Sequence, residues 1–215
     1  MRALGIDPGL VRTGWAIVEP AGVRAVVRAH GVITPAADAE LPVRLAEGAR
    51  RLREVLAEHR PEFVALEEIF TAPRHPRSAL LMAHMRGAIC LVLQEAGVPI
   101  MALTATTVKQ RLTSSGHASK EQVQRMVLRL TGLASTEGMK LDETDAIALA
   151  LAGLHQTSTV GGGLAVGNRT AHGPAALRQL VTDLRQGRDV DADHRWRGPL
   201  TPDTTSSATD RKPRV

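Results

Sequence analysis

The hydrophobic period changes along this chain in a fixed order, and that order limits the fold more than any other feature. Arg2–Ile6 reads as a short strand closed by the turn sequence Asp7-Pro8-Gly9. Gly14–Val18 and Val23–Ile33 read as two further strands, split by Pro20-Ala21-Gly22 in the manner of a hairpin. Only then does a helical period begin: within Leu41–His59, residues Leu45, Ala49, Leu52 and Leu56 recur at intervals of four, three and four. Phe63–Ile69 is a strand. Ser78–Ala96 is a helix, with Ser78 as its expected N-cap and Gly97 as its stop. Pro99–Leu103 is the last strand, and Thr106–Leu112, Ser119–Leu130 and Asp142–Leu154 are helices. A hairpin followed by β-α-β crossovers, which demand parallel pairing, predicts an α/β domain with a mixed five-stranded sheet flanked by helices.

Composition narrows the classes. With 43% hydrophobic residues in 215, wholesale disorder is excluded. Aromatics are only 2%, so the core must be built from Ala, Leu, Val and Ile. The single cysteine, Cys90, rules out an internal disulfide framework and a Cys-based zinc site; mid-helix among Ala88, Ile89, Leu91 and Val92, it reads as a small core residue. No apolar run reaches the ~18–20 residues of a membrane span. The opening Met1–Asp7 meets an acid too early for a signal peptide. The expectation is a soluble, reduced, cytoplasmic protein without membrane contact.

The net charge of +5 permits nucleic-acid binding without proving it. The charge is unevenly spread: residues 157–215 hold nine Lys/Arg against six Asp, whereas residues 1–156 hold 18 basic against 16 acidic residues. Composition shifts after Gln156 to Gly, Pro, Thr, Asp and Arg. The expected division is therefore a domain over 1–156 and a low-complexity basic tail over 157–215, mobile apart from a short helical period at Ala175–Arg185.

Three acidic places carry the possible chemistry. Asp7 ends the first strand, Glu67 and Glu68 end the fourth, and Asp142 and Asp145 sit three apart at the start of the last helix, on one face. Glu67 and Glu68 point to opposite sides of their strand, so only one can join Asp7, and periodicity does not choose between them. Converging carboxylates repel unless a cation sits among them. Oxygen ligands without nearby His or Cys favour Mg²⁺ or Mn²⁺ over zinc. Two such ions about 3.5–4 Å apart would activate a water and stabilise the leaving oxygen of a phosphodiester. Each acid also has a plain structural reading: Asp7 as a turn residue, Asp142 as an N-cap, Asp145 as a residue suited to the helix dipole, Glu68 as a solvated strand end. Asp145 and Glu67, however, abut the apolar runs Ala146–Ala150 and Phe63–Leu66, where an uncompensated charge costs stability.

Phe70 opens the loop Thr71-Ala72-Pro73-Arg74-His75-Pro76-Arg77. The structural reading is a ring closing the strand; the functional one is a ring that stacks on an unpaired base beside two phosphate-binding arginines, Arg74 and Arg77. Lys109, Arg111 and Lys120 flank the Ser/Gly segment 112–119, which reads either as a solvated surface or as a phosphate-contacting edge. Gly9–Gly14 has the G-x-x-x-x-G spacing of a phosphate loop, but Trp15 stands where that loop needs Lys, so the match is dismissed.

Gly5-Ile6-Asp7-Pro8-Gly9 with Thr13-Gly14 resembles the opening of the RuvC Holliday-junction resolvases. So do Ala65-Leu66-Glu67-Glu68-Ile69-Phe70, Ser78-Ala79-Leu80, Arg86-Gly87, Val108-Lys109-Gln110, Lys120, Val123-Gln124 and Asp142-Glu143-Thr144-Asp145-Ala146. The series runs in order from residue 2 to about 156. The resemblance implies a ribonuclease-H-like fold and a homodimeric, Mg²⁺-dependent endonuclease that nicks four-way DNA junctions symmetrically in recombination and repair. It implies that Asp7, Glu67, Asp142 and Asp145 bind the metal. It further implies that Phe70 stacks near the junction centre, that Lys109 and Lys120 contact DNA phosphate or act in catalysis, and that the RuvA–RuvB branch-migration complex is a partner. The chain departs from the family pattern in the prolines after Phe70, in Arg74-His75 where Lys-Asn is common, and in Glu68 where Gln is common.

The helix Ser78–Ala96 is apolar on more than one face (Leu80, Leu81, Met82, Met85, Ile89, Leu91), and its surplus face, with Leu81 and Met85, is the expected dimer contact. Two alternatives stand beside the resolvase. A non-catalytic junction-binding module is opposed by the presence of all four acids. A phosphotransferase of the actin and sugar-kinase type also opens with Asp-x-Gly, but needs two lobes where residues 1–156 supply one.

Overall fold

The computed structural model describes residues 1–21, 24–69 and 76–159, and a five-stranded sheet lies at their centre. Its strands are β1 (Ala3–Asp7), β2 (Thr13–Ala21), β3 (Arg24–Ile33), β4 (Phe63–Glu67) and β5 (Ile100–Leu103), in the spatial order β3-β2-β1-β4-β5. β1 pairs antiparallel with β2 and β2 with β3, whereas β1–β4 and β4–β5 are parallel. The mixed sheet expected from a hairpin followed by crossovers is the one observed.

The helices are α1 (Leu41–His59), α2 (Pro76–Glu95), α3 (Ala105–Thr113), α4 (Lys120–Thr131) and α5 (Leu141–Thr159). Strand alternation divides the core between them. Leu4, Ile6, Val64 and Leu66 face α1 and α2, where they meet Leu52, Leu56, Met85 and Ile89. Ala3, Ala16, Phe63 and Ala65 face the opposite side, where they meet Ile147 and Ala150 of α5 and Val127 of α4.

The second face shows why aromatic side chains are scarce. A Cβ on Gly5 would lie 1.9 Å from the Ala146 carbonyl oxygen, so the backbone of α5 rests directly on β1. Ala146, Ala148, Ala150 and Ala152 are all buried, which makes α5 a central helix with no solvent stripe. Close approach of this kind leaves no room for a large ring at Gly5; the Phe63 ring on this face is accommodated where α5 carries Gly153.

Several boundaries differ from the sequence expectation. α2 begins at Pro76, so Ser78 is its third residue and not its cap. α5 begins at Leu141, so Asp142 is not an N-cap either. The backbone N–H of Lys140, just before this helix, is instead satisfied by the Glu143 carboxylate at 2.7 Å. β4 stops at Glu67, although the Glu68 N–H still donates to the Leu103 carbonyl at 2.8 Å. Pro20 lies inside β2, paired with Ala25. Gly97 follows α2 with φ +66, as a helix stop should. Met85 is 1% exposed and packs toward Gly48, so it is a core residue and cannot form a dimer contact; among the described residues of α2 the large exposed apolar side chains are Leu80 and Leu91. α5 continues three residues past Gln156 to Thr159; the tail and its short helical period at Ala175–Arg185 lie outside the described residues.

Candidate metal-binding acidic site

The register of the two parallel strands builds the site. Ile6 pairs with Leu66, so Asp7 and Glu67 occupy corresponding positions at the C-terminal ends of β1 and β4. Phe63 and Ala65 face α5, and Glu67 follows on the same side by the two-residue period. Glu68 follows Leu66, on the other side. Alternation across the assembled sheet therefore selects Glu67 as the partner of Asp7. The N-terminus of α5 completes the arrangement. A Cβ on Gly14, the residue paired with Asp7 across β1 and β2, would lie 2.0 Å from the Asp142 carbonyl oxygen, so the first turn of α5 is pressed against the end of β1.

Asp7, Glu67 and Asp145 line one cavity of about 260 Å³ together with Lys109 and Lys120. Its remaining wall is apolar and includes Val108, Val123 and Leu149. The two lysines arrive from separate helices. Thr104 caps α3, its hydroxyl accepting from the Thr107 N–H, and Lys109 follows one turn on. Ser119 and Gln122 form a capping box that starts α4 at Lys120. Lys120 Nζ lies 3.5 Å from Asp145 Oδ2.

Asp7 is the electrostatic centre. Burial, a hydrogen bond shared with Glu67, and the charges of Glu67, Asp145 and Asp142 push its pKa up to about 8. The site therefore holds more negative charge than the protein can comfortably ionise, and every candidate ligand atom is a carboxylate oxygen. That donor set fits a hard divalent cation. The acids have protein partners as they stand. Asp142 Oδ2 lies 2.8 Å from Arg12 Nε, outside the cavity wall, and Asp145 leans toward Lys120. Among the described residues, accordingly, no three acidic, His or Cys side chains are already gathered as ligands to one ion.

Not every predicted residue arrives here. Arg111 does not line the cavity; its Nη1 points to the Ala152 carbonyl at 3.5 Å, two turns along α5 from Asp145. Phe70 and Arg74, and the side chain of Arg77, lie outside the described residues. Conversely, three residues important to the geometry were not singled out as site residues by sequence reasoning. Arg12 pairs with Asp142. Arg86 of α2 donates through Nε to the Glu67 carbonyl at 3.1 Å, fixing the end of β4. Glu143 joins His30 of β3 at 2.9 Å as well as the Lys140 N–H, tying the start of α5 to the hairpin. None lies in a periodic pattern that would have flagged it, and their partners are distant in sequence.

Comparison with known proteins gives a consistent result. The family model "Crossover junction endodeoxyribonuclease RuvC" matches residues 3–153. A crossover junction endodeoxyribonuclease RuvC of Rhodopirellula baltica is 42% identical over 150 residues, covering 70% of this chain and 84% of that protein. One from Burkholderia ambifaria is 39% identical over 191 residues, covering 88% of this chain and 100% of its own. Among solved structures, Thermus thermophilus RuvC in complex with a Holliday junction substrate superposes with TM-score 0.70 at 32% identity, covering 74% of this chain and 96% of that one. The yeast mitochondrial Holliday junction resolvase Ydc2 shares the fold alone, at TM-score 0.58 and 12% identity.

Proposed function

The chain belongs to the crossover junction endodeoxyribonuclease RuvC family, and from that premise we propose how its residues resolve a four-way DNA junction. It is a structure-specific, metal-dependent endonuclease of recombination and repair. Its metal ligands are Asp7, Glu67, Asp142 and Asp145, and the ion is Mg²⁺, with Mn²⁺ a substitute and up to two ions per subunit. The observation that carries this assignment is the convergence of Asp7, Glu67 and Asp145 from three separate elements onto one cavity that also holds Lys109 and Lys120.

When bound, the ions supply an activated water and stabilise the oxygen that leaves phosphorus. The protein's own groups do the rest. Lys109 and Lys120, on the cavity wall, draw the scissile phosphate toward the carboxylates. Lys120 balances the charge of Asp145 until DNA arrives. The apolar wall of Val108, Val123 and Leu149 limits competing water. Arg74 and Arg77 are assigned to phosphates and Phe70 to base stacking at the junction centre; Arg111 is left an accessory role, because its guanidinium is directed at α5. The nuclease domain is assigned to residues 1–156 and the basic tail to 157–215. The protein acts in the cytoplasm, with the RuvA–RuvB complex as its motor. Among the described residues no helix is long and apolar enough to cross a membrane.

The decisive experiment incubates labelled four-way, three-way and linear DNA with the protein in Mg²⁺, Mn²⁺ and EDTA. Paired nicks confined to the four-way substrate, present with either metal and absent with EDTA, are expected. Binding should weaken steeply with salt, since phosphate neutralisation drives it. Retention of the junction without nicking under all metals would instead identify a non-catalytic binding module.

Two symmetric strands call for two active sites, and an isologous dimer supplies them. Leu80, His84, Gly87 and Leu91 are exposed at spacings of four, three and four along α2, and a Cβ on Gly87 would meet nothing within 4 Å. This stripe is the proposed dimer face. Leu80→Glu with Leu91→Glu is expected to yield a folded monomer by light scattering, with single nicks replacing paired ones. A variant that stays dimeric would place the contact elsewhere.

A further inference from the structure

Between β1 and β2 lies a short connection, Pro8–Arg12, whose glycine spacing misleadingly suggests a phosphate loop. Its true construction is different. The buried Thr13 hydroxyl donates to the Gly9 carbonyl at 2.9 Å and accepts from the Gly9 N–H at 3.3 Å, closing the turn on itself. Arg44 of α1 donates to the Leu10 carbonyl at 2.8 Å, pinning the outer edge. A Cβ on Gly9 would lie 2.2 Å from the Arg12 carbonyl oxygen, and Gly14 abuts the backbone of Asp142. Three hydrogen bonds and two close backbone approaches thus fix the backbone that carries Arg12. Its side chain, 53% exposed, reaches over Asp142, 22% exposed, with Nε 2.8 Å from Oδ2.

A guanidinium keeps its charge at any working pH, so it neutralises Asp142 permanently while it stays there. As a charge neighbour only, since Asp142 Oδ2 is buried and accepts no hydrogen bond, it leaves that oxygen's lone pairs open to a cation while repelling any divalent charge that approaches. Its exposure leaves it a path outward.

We propose that Arg12 is a displaceable counterion of Asp142, which compensates this carboxylate in the cation-free protein and must be driven off it for a divalent ion to load. The proposal rests on the assignment of Asp142 as a metal ligand and adds a competitor that sets the metal affinity. Arg12 is a positioning residue here, acting on the metal only through Asp142.

The test is Mn²⁺ binding to the full-length protein without DNA, followed by calorimetry at low ionic strength. Arg12→Gln is expected to bind Mn²⁺ about two- to fivefold more tightly than wild type, the range that loss of a partly exposed pair allows. Arg12→Lys, which keeps the charge, should fall between the two. A residue that merely shaped the loop would weaken binding when removed, so equal or weaker affinity in Arg12→Gln overturns the proposal. Thermal melts of the metal-free protein provide the second arm: Arg12→Gln and Asp142→Asn should be non-additive in the double variant, and strict additivity counts against the pairing. Absence of Mn²⁺ binding by wild type itself would overturn the metal-ligand assignment, and this proposal with it, whereas equal isotherms for wild type and Arg12→Gln defeat this proposal alone.

Discussion

Asp7→Asn is expected to lose junction cleavage by at least a hundredfold, the scale typical of deleting even a supporting group of a metal site, while retaining junction binding. The same substitution should raise the stability of the metal-free protein at alkaline pH. Asp7 holds its proton up to about pH 8 in the folded state, because of burial, its hydrogen bond with Glu67 and the neighbouring acids. The unfolded chain releases that proton near pH 4. Between these limits the folded state binds more protons than the unfolded one, so stability falls as pH rises from about 4 to about 8. The asparagine cannot ionise and escapes that loss, which is on the order of a few kcal/mol at pH 8. Metal-free melting curves at pH 5 and pH 8 should therefore show a smaller drop for Asp7→Asn than for wild type. A variant that cuts normally, or that shows the wild-type pH dependence of melting, would remove Asp7 from the centre of the site.

Gly5→Ala should have the largest effect on the fold. The added methyl would stand 1.9 Å from the Ala146 carbonyl oxygen and 2.7 Å from the Ala150 backbone nitrogen, and neither can move without shifting α5. Overpacking of a close-packed core costs about 1–3 kcal/mol where side chains yield, and more where only backbone is available. A loss of at least about 3 kcal/mol is therefore expected in chemical denaturation. Because α5 also carries Asp142 and Asp145, the residual folded protein should cut poorly even where it remains soluble. Gly87→Ala, with nothing of its own protomer within 4 Å of the new methyl, is the matched control in the Leu80→Glu, Leu91→Glu background and should be close to neutral or slightly stabilising there. A Gly5→Ala protein with wild-type stability would mean that α5 does not lie on β1 as described.

The sites of disagreement between sequence reading and structure share one cause. Ser78 and Asp142 both look like caps because local sequence reports where a side chain can bond its own backbone, yet α2 and α5 begin earlier. Met85 looked free for a partner because α2 is apolar on more than one face. It is α1, folding across α2 with Gly48 opposite, that buries Met85 and leaves Leu80 and Leu91 outside. Arg111 shares its helix with Lys109, and only the packing of α3 on α5 directs the one to Ala152 and the other to the cavity.

What the sequence by itself determined was the order of elements, hence the mixed sheet, and the identity of the acids that end its strands. Those follow from hydrophobic period, turn residues and connection length, all of which act over a few neighbours. The pairing of Arg12 with Asp142 and the shared proton of Asp7 were decided only in three dimensions, as was the physical reason for Glu67 over Glu68, a choice that periodicity left open and only the family resemblance made. Each depends on which face of the sheet α5 covers and how near its backbone comes, and such distances arise from contacts between residues 60 or more positions apart, on which local pattern is silent.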